Sequence, residues 1–170
     1  MVVDPACKGD PSLNGRRARE CFVHVCHLVH GRRLHGKRTW KYEHGKVSPL
    51  AEVWNGKTWS ITRTTPVPPQ SMLLGVDCTT KTACIAVGYS GSVNRATTAL
   101  AERWDGAKWT VTGSVKPSES TTSSLNGISC ISKTFCIAVG TLNGSSSLAE
   151  RWNGSTWGVE PIPQPSDLIY

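Results

Sequence analysis

Apolar residues along this chain come in short runs of at most five positions, set apart by polar residues, Gly and Pro, and no segment of the repeated part carries a helical period. One phrase occurs three times: "LAEVWNGKTW" at Leu50–Trp59, "LAERWDGAKW" at Leu100–Trp109 and "LAERWNGSTW" at Leu148–Trp157. A longer unit precedes two of them, "LLGVDCTTKTACIAVG" at Leu73–Gly88 and "LNGISCISKTFCIAVG" at Leu125–Gly140. The Trp phrases stand 50 and 48 residues apart and the cysteine pairs 52, a period that marks a repeat architecture. Each unit predicts four short strands, which in the first full unit cover Gly75–Cys78, Cys84–Gly88, Leu100–Trp104 and Trp109–Thr112. Four strands in about 50 residues, in tandem, describe the blade of a β-propeller. The expected fold is therefore all-β: tandem four-stranded antiparallel blades of an incomplete propeller. It has two full units, Leu73–Thr112 and Leu125–Val159, and a degraded one ending near Ile61, about three blades in all.

Turn chemistry fixes which residues meet. Asn55-Gly56, Asp105-Gly106 and Asn153-Gly154 are hairpin-turn dipeptides, expected because both residues tolerate positive φ. With a loop of two or four residues, Trp54 and Trp59 share a sheet face, as do Trp104 with Trp109 and Trp152 with Trp157. Indoles repeated in every unit are read as blade packing; a row of Trp stacking on sugars is the alternative. Five residues separate Cys78 from Cys84 and Cys130 from Cys136, an odd number that lets each pair face across a hairpin as a disulfide. Closing so small a loop stabilises by about 2 kcal/mol or less. The competing reading of these four cysteines, a zinc site, needs cysteines from two blades to converge.

These residues carry a resemblance. "CIAVG … LAERWNGSTW" resembles a kelch-type repeat, in which the second strand ends in a glycine pair, the third in an aromatic and a turn residue, and a Trp opens the fourth. Here "AVG" replaces the double glycine and Trp the usual Tyr. The unit is similar, more closely still, to the Cys-containing, Trp-Asn-Gly repeats of large secreted bacterial proteins of unknown function. The resemblance covers residues 48–160 and implies a β-propeller used for binding rather than catalysis. "WNGSTW" is not the Asp-box of sialidase-like propellers, because Trp152 stands where that box has its acid.

Composition sharpens the picture. Only 18% of residues are charged, which suits strands and turns better than helices. The net charge of +7 could point to nucleic acid, but residues 1–47 carry +6 of it and residues 48–170 only +1, so the repeats are nearly neutral and no nucleic-acid partner is expected. Paired cysteines place the chain in an oxidising compartment, secreted or at a cell surface. "MVVDPACKGD" has no apolar core of a signal peptide, so the chain reads as a fragment of a longer exported protein, and no apolar run is long enough for a membrane span.

Residues 1–47 break the pattern and are expected to form a separate, irregular basic segment, with the repeats from 48 to 170. "SLNG" at Ser12–Gly15 repeats "SLNG" at Ser124–Gly127, yet the cysteine-and-"AVG" strand expected next is replaced by a stretch with all five histidines, His24, His27, His30, His35 and His44. With Cys21 and Cys26 these could be read as a metal cluster, but the order matches no familiar zinc spacing, and no metal or other cofactor is expected. The segment is a diverged first blade, a basic surface arm, or residues 16 to about 47 translated from a shifted frame; Cys7 has no assigned role.

For function, the once-per-unit acids Glu52, Glu102 and Glu150 are expected as solvated strand residues, paired with Arg103 or Arg151. The repeats contain no histidine, and no catalytic residue is assigned. The expected function is a non-catalytic binding module for protein or glycan. The alternatives are a structural spacer of a larger surface protein and, in third place, a propeller-based lyase, hydrolase or oxidase. Further repeats or a homo-oligomer would complete the ring, since propellers close with about four to eight blades.

Overall fold

The computed structural model describes residues 23–33, 40–54, 57–68, 71–91, 96–114 and 122–162, with side chains from residue 49 onward except at a few positions that include Trp54 and Trp59. Cys7, Cys21, His35, the first "SLNG" and the Asn55-Gly56 turn lie outside the described residues, as do residues 163–170; His24, His27, His30, His44 and Cys26 are described by their backbone alone.

The fold is all-β. Among the described residues eleven strands form three antiparallel sheets in chain order, the blades of an incomplete propeller. Sheet one holds β1 (Val23–Arg33), β2 (Trp40–Trp54) and β3 (Trp59–Thr62). Sheet two holds β4 (Met72–Thr80), β5 (Ala83–Ser90), β6 (Thr98–Trp104) and β7 (Trp109–Val111); sheet three holds β8 (Ser123–Ser132), β9 (Phe135–Leu142), β10 (Ser146–Trp152) and β11 (Trp157–Val159). Each strand pairs with the next in sequence, so every connection inside a sheet is a hairpin. Strand β2 runs across position 47, and β1 pairs with it from Val23↔Val53 to Arg33↔Trp40.

Sheet two buries both faces. Ala51 and Val53 of sheet one pack in one cluster with Leu73, Cys84, Ala86, Leu100, Trp104 and Trp109 of sheet two. Ile85, Val87, Ala99 and Ala101, on the opposite face of sheet two, cluster with Leu125, Cys130, Cys136, Leu148, Trp152 and Trp157 of sheet three. A blade covered on both sides needs near-continuous apolar strands, which is why β5 carries "CIAVG" with no polar alternation. The sheets are also bolted together by hydrogen bonds. The indole N–H of Trp109 donates to Thr62 Oγ1 and that of Trp157 to Thr112 Oγ1, both at 3.1 Å, tying the last strand of one sheet to the chain leaving the sheet before. Asp77 Oδ2 accepts from the Cys130 backbone N–H at 2.7 Å, joining β4 to β8. There the backbones run close enough that a Cβ on Gly75 would stand 3.2 Å from the Gly127 Cα.

Three expectations are corrected by these contacts. The turn dipeptides work differently: Gly106 and Gly154 take φ of +99°, but Asp105 and Asn153 do not take a positive φ. In a four-residue loop, Asp105 Oδ1 instead accepts from the N–H groups of Ala107 and Lys108, and Asn153 Oδ1 from those of Ser155 and Thr156, all at 2.9 Å. The once-per-unit glutamates are not solvated but buried, Glu102 and Glu150 completely and Glu52 nearly so. Nor do they pair with Arg103 or Arg151. Glu102 Oε2 accepts from the Thr65 N–H at 3.1 Å and Glu150 Oε1 from the Ser114 hydroxyl at 2.8 Å. Thr65 and Ser114 lie on the crossovers leading into sheets two and three, so each acid holds the crossover that enters its own sheet. The arginine of sheet three, Arg151, pairs with Glu160 at 3.1 Å.

Burying Glu102 has a measurable consequence. Its second oxygen, Oε1, is buried without a hydrogen-bond partner among the described residues. Desolvation raises its pKa from 4.5 to about 7, against the smaller opposing pull of the Thr65 hydrogen bonds. Between those values the folded chain holds a proton that the unfolded chain has released. Stability therefore falls as pH rises from 4.5 towards 7 and levels off above it, by about 3 kcal/mol at most. Denaturant unfolding of the Glu102→Gln variant at pH 5 and pH 8 should show that slope removed. A slope that persists in the variant places its origin elsewhere.

Candidate functional site

A cavity opens between sheets two and three, at the end where the β4–β5, β6–β7 and β8–β9 turns gather; it holds about 230 Å³. Sheet two supplies Thr79, Thr82, Cys84, Ile85, Arg103, Trp104 and Asp105, and sheet three Cys130, Ser132, Lys133 and Cys136. The sequence places these side chains by strand parity. Ile85 and Arg103 are direct cross-strand partners and face sheet three, while Cys130 and Cys136 are partners on the facing side of sheet three. Cys78 with Cys84 and Cys130 with Cys136 are joined as disulfides; Ile85 and the Cys130–Cys136 cystine form the cavity's apolar part, while the side chains of Cys78, Cys84 and Trp104 pack on the other face of sheet two, towards sheet one.

The turns around the mouth are rigidly built. The Trp104 indole N–H donates to the Lys81 carbonyl and that of Trp152 to the Lys133 carbonyl, both at 3.2 Å, locking each Trp pair to the turn before it. A Cβ at Gly106 would lie 2.7 Å from Thr82 Cγ2, and one at Gly154 2.7 Å from Thr134 Cγ2, so each glycine lets one turn seat on another. Trp104 lies against Trp109, and Trp152 against Trp157, with ring centroids 5.5 Å apart. All four are less than 8% exposed, each packed within the clusters between sheets. Trp54 and Trp59 are paired by their backbones in the same way.

Charge at the mouth is mixed. Arg103 and Lys133 are exposed cations on opposite walls. Exposed Asp105 is held below the usual carboxylate range by the N–H groups of Lys108 and Ala107, aided by the nearby charges of Lys108 and Arg103. The corresponding arginine of sheet three, Arg151, is engaged by Glu160 and by the Phe135 ring, 5.9 Å away. In sheet two Thr112 takes the place of Glu160 and Ala83 that of Phe135, so Arg103 lacks both of those partners. Between sheets one and two, Val53 holds the arginine position, so that gap cannot repeat the same charge pattern. Sequence reasoning missed this cavity because its two cations stand 30 residues apart in different units; the repeated Lys of "SKT" and "TKT" beside the repeated Arg was the available signal. Among the described residues no group of three His, Cys, Asp or Glu side chains is placed to hold a metal ion, and no helix is long and apolar enough to cross a membrane. The two disulfides fit an extracellular protein.

A scan against protein families finds no match for this chain, and a search of curated proteins finds none. Among solved structures, the chain is similar to a fucose lectin from Kordia zhangzhouensis in complex with methyl-fucoside. The two are 15% identical, the alignment covers 70% of this chain and 83% of that one, and the TM-score is 0.41.

Proposed function

We propose that this chain is a non-catalytic, extracytoplasmic binding module of kelch-like blades, and that the cavity between sheets two and three takes one unit of a glycan. The observation that carries this reading is the cavity's make-up: an apolar floor of Ile85 and the Cys130–Cys136 cystine beneath a polar rim of Arg103, Lys133, Asp105 and Ser132. A sugar ring presents an apolar face and a hydrogen-bonding edge, and matches such a site. At about 230 Å³ the space suits a single ring rather than a folded peptide segment. The two cations favour a ring bearing a carboxylate over a neutral one. Binding fits better than catalysis because the three repeated glutamates do not line the cavity; Glu102 and Glu150 are spent on holding the crossovers. The disulfides support an exported location.

Titration with methyl glycosides, neutral and uronic, followed by isothermal calorimetry, tests the reading. A uronic glycoside should bind, and Arg103→Ala should weaken it about tenfold, roughly 1.4 kcal/mol. Equal binding by the variant, or no response to any glycoside in the set, would refute the assignment.

A further inference from the structure

We propose that the glycan unit taken by the cavity between sheets two and three carries a free amino group as well as a carboxylate, and that Asp105 is the residue that selects it. This inference rests on the reading of that cavity as a glycan site and names the class of sugar. Arg103 and Lys133 account for a carboxylate on the ligand. They leave the third charge at the mouth, that of Asp105, without a role.

The repeat itself shows that the turn does not need this charge. Asn153 holds the position of Asp105 in sheet three. It builds the same four-residue turn, with two N–H groups on its Oδ1 at the same 2.9 Å and with Gly154 at the same φ as Gly106. An amide therefore does for the turn what the acid does. Asp105 spends only Oδ1 on that turn; its Oδ2 makes no hydrogen bond and no ion pair among the described residues. The N–H groups of Lys108 and Ala107 hold its carboxyl below the usual carboxylate range, so it is ionised at neutral pH.

An ionised oxygen that its turn does not use, on the rim of a cavity, suits a cation on the ligand. A 2-amino-2-deoxyhexuronic unit offers that cation together with the anion. Its ammonium at C2 and its carboxylate at C5 stand on opposite edges of one ring, so a single unit can meet the two cations with one edge and Asp105 with the other. A plain uronic ring leaves Asp105 unpaired beside the ligand's own negative charge, and that difference is the source of selection.

Isothermal calorimetry at about pH 6, where the sugar amine is protonated, tests the proposal. The ligands are the methyl glycosides of a hexuronic acid, of the corresponding 2-amino-2-deoxyhexuronic acid and of its N-acetyl form. The amino form should bind roughly fivefold tighter than the plain uronide, the upper end for a pair at so exposed a carboxylate. The N-acetyl form, which has lost the cation, should show no such gain. Asp105→Asn should bring the amino form down to the plain uronide and leave the plain uronide no weaker than before. Urea unfolding of that variant should match the wild type, as the Asn153 turn indicates. A chain that binds none of the three refutes the glycan reading and this inference with it. Binding of the plain uronide with no gain from the amine overturns this inference alone. So does a gain that survives Asp105→Asn, or an equal loss of all three ligands in that variant, which would make Asp105 the acceptor of a hydroxyl.

Discussion

Replacing Gly88 by alanine should destabilise the fold by about 3 kcal/mol or more, the upper end for forcing atoms into a packed core. A Cβ at this position would overlap the Met72 carbonyl oxygen and lie 2.9 Å from the Leu73 Cα. Neither contact can relax by turning a side chain, because both are backbone. The cause is the bulge in β4, where the register shifts between Leu73 and Gly75 and the strand swings across β5. Sheet three repeats the arrangement, with Gly140 under the Ser124 carbonyl and the register shift between Leu125 and Gly127. Gly158→Ala is the matched control, since nothing lies within 4 Å of a Cβ there and its φ is ordinary; it should change stability by less than about 1 kcal/mol. Urea unfolding of the two variants makes the comparison. A Gly88→Ala chain as stable as the control would mean that β4 can leave the bulged register without cost.

Trp152→Ala should cost about 3–5 kcal/mol, the range for emptying a buried aromatic site. The indole fills the cluster between sheets two and three, packs on Trp157 at 5.5 Å and donates its N–H to the Lys133 carbonyl, so its loss opens a hole and strands a turn. Trp152→Phe should recover most of the packing but not the hydrogen bond, and fall between the two. Equilibrium unfolding of the three proteins reads the series. An alanine variant of wild-type stability that had lost glycan binding would instead make Trp152 part of a ligand surface.

The strands were legible because their signals repeat. Trp pairs separated by four residues and Cys pairs separated by five set parity without any knowledge of the sheet, and the structure puts Trp104 opposite Trp109 and Cys78 opposite Cys84. The glutamates were misread for a physical reason. An acid within a strand is ordinarily assigned to the wet face, but blades stacked on both sides have no wet face. Glu102 sits on the covered side with Leu100 and Trp104. Only the chain path between units, which no local pattern records, shows that a carboxylate is needed there as an acceptor. The first unit shows the same limit. Its register brings Cys26 opposite Leu50, where sheets two and three set Gly88 opposite Leu100 and Gly140 opposite Leu148. That glycine is what admits the bulged first strand in the other two sheets, so its replacement removes the local condition for the same arrangement.

The two disulfides each join cysteines six positions apart within one hairpin. Four cysteines can be paired in three ways, but here each thiol meets its proper partner long before it meets one from the other unit, because short loops close fastest. Among these four cysteines, oxidative folding thus needs little reshuffling. The same locality bears on how such a gene can grow. A duplicated or deleted unit brings or removes its cysteines as a matched pair, so the number of blades can change between descendants without leaving a reactive thiol behind.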